Sequence, residues 1–314
     1  MDSLRAVAVV AVIVEHAVNL TPGSVPAALQ AVTNAVAPFR IPTLVFLSGM
    51  LLSRSLARPR REYVQGKLSR IAWPYLVWSV ITVGVSSLGQ DRPDLLEEVV
   101  TPTSPMWFLA YLLAFYALAL VVPAAVRGWL VVPALLASAL ADPAGLHSFF
   151  VHSPEHGVQR FFLTLAFFFA GDLLARHADR VLPVLLRREV VAVAAVLALG
   201  AAAISAAGWT VRYQPLYAVA VFAGIVALIP LFERFAATRA GAVVGGYGRH
   251  TMELYVVHWP VQLVTWHVVV ALGPDGGLVV TCANALAGLG AGLALVHLQR
   301  RVPVLRRLFD LTPR

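Results

Sequence analysis

The stretch Val190-Val-Ala-Val-Ala-Ala-Val-Leu-Ala-Leu-Gly-Ala-Ala-Ala-Ile-Ser-Ala-Ala207 contains no charged residue, and its only side-chain hydroxyl is that of Ser205. As an α-helix it would reach roughly 27 Å, close to the ~30 Å hydrocarbon thickness of a bilayer. As a strand it would be too long, and it lacks the alternation of a barrel strand. It is apolar on every side, so it offers no face to water. Its solvent is lipid, where a helix satisfies its own backbone hydrogen bonds.

Working outward from this segment, taken as 189–207, nine others of similar character appear: 4–22, 35–53, 70–89, 106–126, 128–141, 158–176, 214–232, 250–272 and 278–298. The fifth, 128–141, is short and interrupted by Pro133, which makes it the weakest. The sequence therefore predicts an all-α fold: a polytopic transmembrane helical bundle of about ten spanning helices, forming one membrane domain over residues 1–314. Composition agrees. Hydrophobic residues make up 59%, charged residues 13%, and mean hydropathy is +0.79. A soluble domain has about 45–50% apolar and about 25% charged residues.

The distribution of basic residues sets the orientation. Of 24 basic residues, Lys67 is the only lysine. With ten spans, twenty fall on one side: Arg5, Arg127 and the clusters at Arg54 to Arg70, Arg176 to Arg188, Arg234 to Arg249 and Arg300 to Arg314. Arg40, Arg92, Arg160 and Arg212 fall on the other. This asymmetry places both termini in the cytoplasm and residues 90–105 and 142–157 outside. The net charge of +8 is thus a topology signal. Nucleic acid is excluded as a partner, because the clusters lie between apolar runs and form no basic face with interleaved aromatics. Membrane lipids are the expected surroundings. Cys282 allows no intramolecular disulfide and reads as a small buried side chain. The first apolar run carries Asp2, Arg5, Glu15 and His16, which a cleavable signal would not.

Ionisable residues inside spans are expensive and are functional candidates. Arg5 and His16 are eleven residues apart, which on a helix is about 20° beyond three full turns. They share a stripe, roughly 16 Å apart along the axis, with Asp2 near it. An imidazole in the bilayer can take and return a proton near neutral pH. It can equally be a hydrogen-bonded packing residue, and spacing leaves both readings open. Lys67 and Arg70 are two cations one turn apart before the third span, able to grip phosphates or simply to anchor the helix. In the ninth segment Tyr255 and His258 share a face beside Pro260, while Trp259 and Trp266 read as packing residues. In the outer loop His147, His152 and His156 with Glu155 match no zinc spacing, so no metal is expected.

Several of these features, in order, resemble acyltransferase family 3, membrane proteins that transfer acyl groups onto sugars and other acceptors. Asp2-Ser3-Leu4-Arg5-Ala6 is similar to the family's opening signature. Arg5 followed by ten residues and His16 is similar to its Arg-to-His motif. Phe39-Arg40-Ile41-Pro42 through Leu47-Ser48-Gly49 resembles the second-helix motif, and Lys67-Leu68-Ser69-Arg70 with Ile71 and Pro74 resembles the two-cation motif. Met106-Trp107-Phe108-Leu109, Phe168-Phe169-Ala170-Gly171 and Tyr255-Val256-Val257-His258-Trp259-Pro260 resemble later helix motifs. Lys67 stands where arginine is commoner, which loses the bidentate fork. Arg40 stands where the family often has another residue. The chain begins almost on its motif, so the natural start is expected upstream. With no esterase-like domain after the last span, a stand-alone transferase is expected.

The resemblance implies an acyl-CoA-dependent O-acyltransferase of the cell membrane, bacterial plasma membrane in the first instance. It would move an acyl group, first of all acetyl, from cytoplasmic acyl-CoA as co-substrate to a hydroxyl of a carbohydrate or lipid-linked acceptor of the cell envelope. Arg5, Lys67 and Arg70 would hold the donor phosphates. His16 would act as general base or acyl carrier. His258 and Tyr255 would support the thioester or acceptor, and Arg5 would stand with them among the catalytic residues. A transporter or flippase using the same buried polar cavity is the alternative, and matched broken helices in an inverted repeat would favour it.

Overall fold

A computed structural model describes residues 1–21, 25–88, 94–100, 104–146, 157–273 and 277–311. The outer-loop residues His147, His152, Glu155 and His156, like Asp91, Arg92 and Arg314, lie outside the described residues. Among the described residues the regular structure is entirely helical. In chain order the helices are α1 (Asp2–Asn19), α2 (Ala27–Met50), α3 (Leu52–Leu56), α4 (Arg60–Lys67), α5 (Trp73–Ser86), α6 (Leu95–Val100), α7 (Trp107–Val121) and α8 (Ala124–Arg127). They continue with α9 (Val131–Ala141), α10 (Gly157–Arg176), α11 (Ala178–Leu185), α12 (Arg188–Ala206), α13 (Ala218–Ala236), α14 (Arg239–Gly248), α15 (Thr251–Ala271) and α16 (Gly277–Arg301).

Over the described residues, each of the ten expected segments is largely helical. Among the described residues, eight helical stretches are long and apolar enough to cross a membrane: Ala27–Leu56, Arg60–Ser86, Ala124–Ala141, Gly157–Arg176, Arg188–Ala206, Pro215–Ala236, Thr251–Ala271 and Gly277–Arg301. Two expected spans fall outside this group. The 18-residue α1 carries Asp2, Arg5 and Glu15. α7 has only 15 residues, about 22 Å of helix, because Pro123 has no N–H with which to continue it.

Other departures have local causes. α2 begins eight residues before the expected 35, and its early turns are held where Ser205 Oγ donates to the Asn34 carbonyl at 2.7 Å. The cationic stretch 54–70, expected between spans, is largely helical. α4 runs into α5 through a π turn, Leu68–Ala72, in which Trp73 N–H reaches back five residues to the Leu68 carbonyl. The cause is Pro74, which offers no N–H to the Arg70 carbonyl and whose ring would crowd it in a regular helix. Residues 177–188, also expected between spans, contain α11, with Val181, Leu182 and Leu185 half-buried on one side and Asp179 and Arg180 exposed on another. The expected outer loop 90–105 contains α6, where Glu98 is buried and accepts hydrogen bonds from the Ser104 hydroxyl and backbone N–H. Cys282, expected to be buried, is exposed on α16.

The helices form two compact units. The first comprises residues 1–8, 31–59 and 115–249, the second 9–30, 60–114 and 250–314. In the first, Phe115, Tyr116, Phe161 and Phe168 stack at centroid distances of 5.1–5.6 Å. α2 and α10 meet backbone to backbone there. A Cβ on Gly49 would collide with the Phe168 carbonyl, and one on Gly171 with the Phe46 carbonyl. Beside this seam Asp172, wholly buried, accepts from Ser53 Oγ at 2.6 Å, Arg176 Nε at 3.1 Å and Arg127 Nη1 at 3.4 Å. In the second unit α15 packs on α16 along the small residues Gly288 and Gly292, one turn apart; a Cβ at Gly292 would stand 2.8 Å from Leu254 Cδ2.

Candidate active site

The second unit brings together the imidazoles that the sequence singled out. His258 is completely buried on α15, and its ring centroid lies 5.3 Å from that of His16 on α1. Nδ1 of His258 meets the Tyr255 carbonyl. A carbonyl can only accept, so the neutral ring carries its proton on Nδ1 and leaves a lone pair on Nε2. Nε2 is buried and has no hydrogen-bond partner among the described residues. The edge of the Trp259 indole packs on His16 at 5.1 Å, which makes Trp259 a wall of the site and not only a packing residue. His16 is half-buried and Glu15 beside it is buried.

Tyr255 shares the buried face with His258, as its spacing predicts, but its hydroxyl donates to the Pro105 carbonyl, and its ring lies 5.1 Å from Phe108. It anchors the turn that starts α7. The Glu253 carboxylate, on another side of α15, pairs with His250 at 3.0 Å.

Lys67 and Arg70 belong to the same unit and flank the π turn. The Lys67 ammonium lies 5.3 Å from the centre of the Tyr63 ring. The Arg70 side chain is 58% exposed, and its Nε meets Asp310 at 3.2 Å. This carboxylate comes from the C-terminal segment, which lies along α5: Trp73 Nε1 donates to the Arg307 carbonyl at 2.5 Å, and Phe309 stacks on Trp78 at 5.5 Å. Arg5 belongs to the first unit, where its guanidinium meets Asp2 and the Leu47 carbonyl, each at 3.4 Å.

The family model described as an acyltransferase domain, that of acyltransferase family 3, matches residues 1–297. The chain belongs to acyltransferase family 3. No curated protein and no solved structure matches it. The acyltransferase is a multi-pass membrane protein, and its chemistry is acyl transfer. Its second- and sixth-helix motifs are two halves of one contact, since Gly49 and Gly171 each lie against the other motif's backbone.

Arg127, Asp172, Gln262 and Asn284 are among the buried polar residues that sequence reasoning passed over. Arg127 was counted as an ordinary inner-side cation, yet it is buried against Asp172. Asp172 follows the Phe-Phe-Ala-Gly motif inside a span, and its charge there was signal enough. Gln262 and Asn284 are fully buried in the acyltransferase's last two long helices. Nothing in their own neighbourhoods of sequence says that they face each other.

Proposed function

We propose that the protein transfers an acyl group, first of all acetyl, from acyl-CoA on the cytoplasmic side to a hydroxyl of a carbohydrate or lipid-linked acceptor of the cell envelope. The proposal includes ten spans with both termini in the cytoplasm of a bacterial plasma membrane. The observation that carries it is the His16–His258 imidazole pair, held in one compact unit with the Lys67–Arg70 turn. His16 takes the proton of the acceptor hydroxyl as its oxygen attacks the thioester carbonyl. The carbon–sulfur bond then breaks, and His16 returns the proton to the departing thiolate. His258, with its Nε2 lone pair, supports the proton-bearing state of the site. Tyr255 contributes by holding the Pro105 turn.

Lys67, half-buried over the Tyr63 ring, and the exposed Arg70 fit the donor's phosphates as two cations at the π turn before α5. Arg5 is proposed as a further cation for the donor on the family resemblance. Membership of an acyltransferase family favours transfer over transport.

The test uses purified protein, radiolabelled acetyl-CoA and candidate envelope glycans. His16→Ala should keep acetyl-CoA binding and thermal stability while losing transfer by a factor of order 10² or more. A folded His16→Ala protein with near-normal turnover would defeat the mechanism.

A further inference from the structure

Gln262 stands one turn beyond His258 on α15, so the two share a face. Its side chain is fully buried, a costly place for an amide in an apolar helix. Nε2 donates to the Ile13 carbonyl of α1 at 2.9 Å and approaches the Asn284 carbonyl of α16 at 3.4 Å. Both carbonyls lie within α-helices, where Ala17 and Gly288 supply the regular backbone donors. Neither helix needs the amide in order to form. What the amide adds is a fixed placement of α1 against α15 and α16.

That placement falls on the reacting turn. Ile13 precedes His16 by three residues. Five residues beyond His16, the Thr21 and Thr281 hydroxyls meet at 2.7 Å and tie the chain just past the end of α1 to α16. The segment of α1 bearing His16 is thus fastened on both sides of the imidazole. Gly288 fixes the amide in turn: a Cβ there would stand 3.1 Å from Gln262 Cγ and 3.2 Å from Nε2, so α16 leaves the side chain little room to swing. Gln262 Oε1 and both polar atoms of the fully buried Asn284 side chain have no hydrogen-bond partner among the described residues. This is polar capacity beyond what helix packing uses.

We infer that Gln262, backed by Gly288, is a positioning residue that sets the His16 imidazole against His258 for the transfer step. The inference rests on the proposed role of His16 as base. Proton transfer is steep in distance, and a displacement of about 1 Å costs on the order of 10²-fold in rate. Of the proposed donor cations, Lys67 and Arg70 lie off α1, and Arg5 is held eight residues before Ile13 by Asp2 and the Leu47 carbonyl, so donor binding is expected to survive loss of this tie.

The experiment measures transfer from radiolabelled acetyl-CoA by detergent-purified protein, with folding checked by size-exclusion and melting. The variants are Gln262→Leu, which keeps the volume but removes the N–H, and Gly288→Ala, which keeps the amide but displaces it. His16→Ala and the Gln262→Leu/His16→Ala double variant complete the cycle. Both single changes are expected to lower kcat by about 10-fold or more, with KM for acetyl-CoA within about twofold of wild type. In the His16→Ala background Gln262→Leu should remove no further turnover, read from product accumulated over long incubation. Should that background give no product, the split between kcat and KM in the two single variants decides. Folded Gln262→Leu and Gly288→Ala proteins with wild-type kcat would overturn the inference, as would equal fractional losses in the two backgrounds. Near-normal turnover of His16→Ala would instead overturn the assignment of His16 as base.

Discussion

Replacing Asp172 with Asn changes almost nothing in shape and removes one charge. The carboxylate is wholly buried and serves two guanidinium groups, and the consequences differ between them. The Arg176 side chain is 21% exposed and keeps the Ala124 carbonyl at 2.8 Å, so it retains both water and a partner. The Arg127 side chain is 8% exposed, and Asp172 supplies its ion pair. The substitution strands a buried cation, which costs about 3–5 kcal/mol. Asn still offers Ser53 a hydrogen bond, so the lower end, about 3 kcal/mol or ~10²-fold in the folding equilibrium, is the expected loss. Removing the stranded charge in turn, as Arg127→Met in the Asp172→Asn background, should return about half of it. Equilibrium unfolding in mixed micelles, followed by far-UV circular dichroism, measures both variants. A loss below about 1 kcal/mol for Asp172→Asn would refute the reasoning, because Arg127 would then be solvated without the carboxylate.

Three further outcomes are expected. Arg70→Ala should weaken acetyl-CoA binding without loss of expression, and added salt should weaken the wild type more than the variant, measured by equilibrium binding at two ionic strengths. Asp310→Asn should tighten the donor by up to about fivefold, the worth of one exposed ion pair, because the carboxylate competes for Arg70; weaker binding would mean that Asp310 orients the cation for the donor. In a Cys282→Ala background, cysteines at Arg61 and at Glu97 should react with impermeant reagents from opposite sides of the membrane. Glu97 serves as the probe on its segment because it is exposed, whereas the neighbouring Glu98 is buried. Labelling of both from outside would rule out ten spans.

The fold was legible because lipid imposes a length and a composition on each helix, and both are written locally. The segment around Val190 to Ala207 needs no partner to be read. What a single sequence does not carry is which faces meet. Arg5 and His16 could be placed on one stripe by arithmetic, but the approach of His258 to His16 depends on the packing of α1 against α15. Gln262 and Asn284 were invisible for the same reason. The π turn before Trp73 was hidden because Pro74 was read as a motif position, not as a missing N–H one turn after Arg70. Asp172 and Arg127 were more accessible. Each is a charge inside or beside a span, and pairing the two would have anticipated the ion pair.

The seam between α2 and α10 also constrains how the protein is made. Gly49 and Gly171 are separated by about 120 residues of chain, which at 5–20 residues per second is on the order of ten seconds of synthesis. For that interval α2 resides in the bilayer before α10 has been synthesised. It can wait with most of its backbone groups bonded within the helix, the Asn34 and Pro38 carbonyls one turn before Pro38 and Pro42 being the exceptions, and a glycine facing lipid exposes nothing polar. When α10 arrives, attraction depends on close approach and not on expulsion of water, so a larger side chain at either glycine would withhold the contact altogether. The two glycines therefore act during biogenesis as a latch, set early in translation and closed only after the sixth apolar segment has entered the membrane.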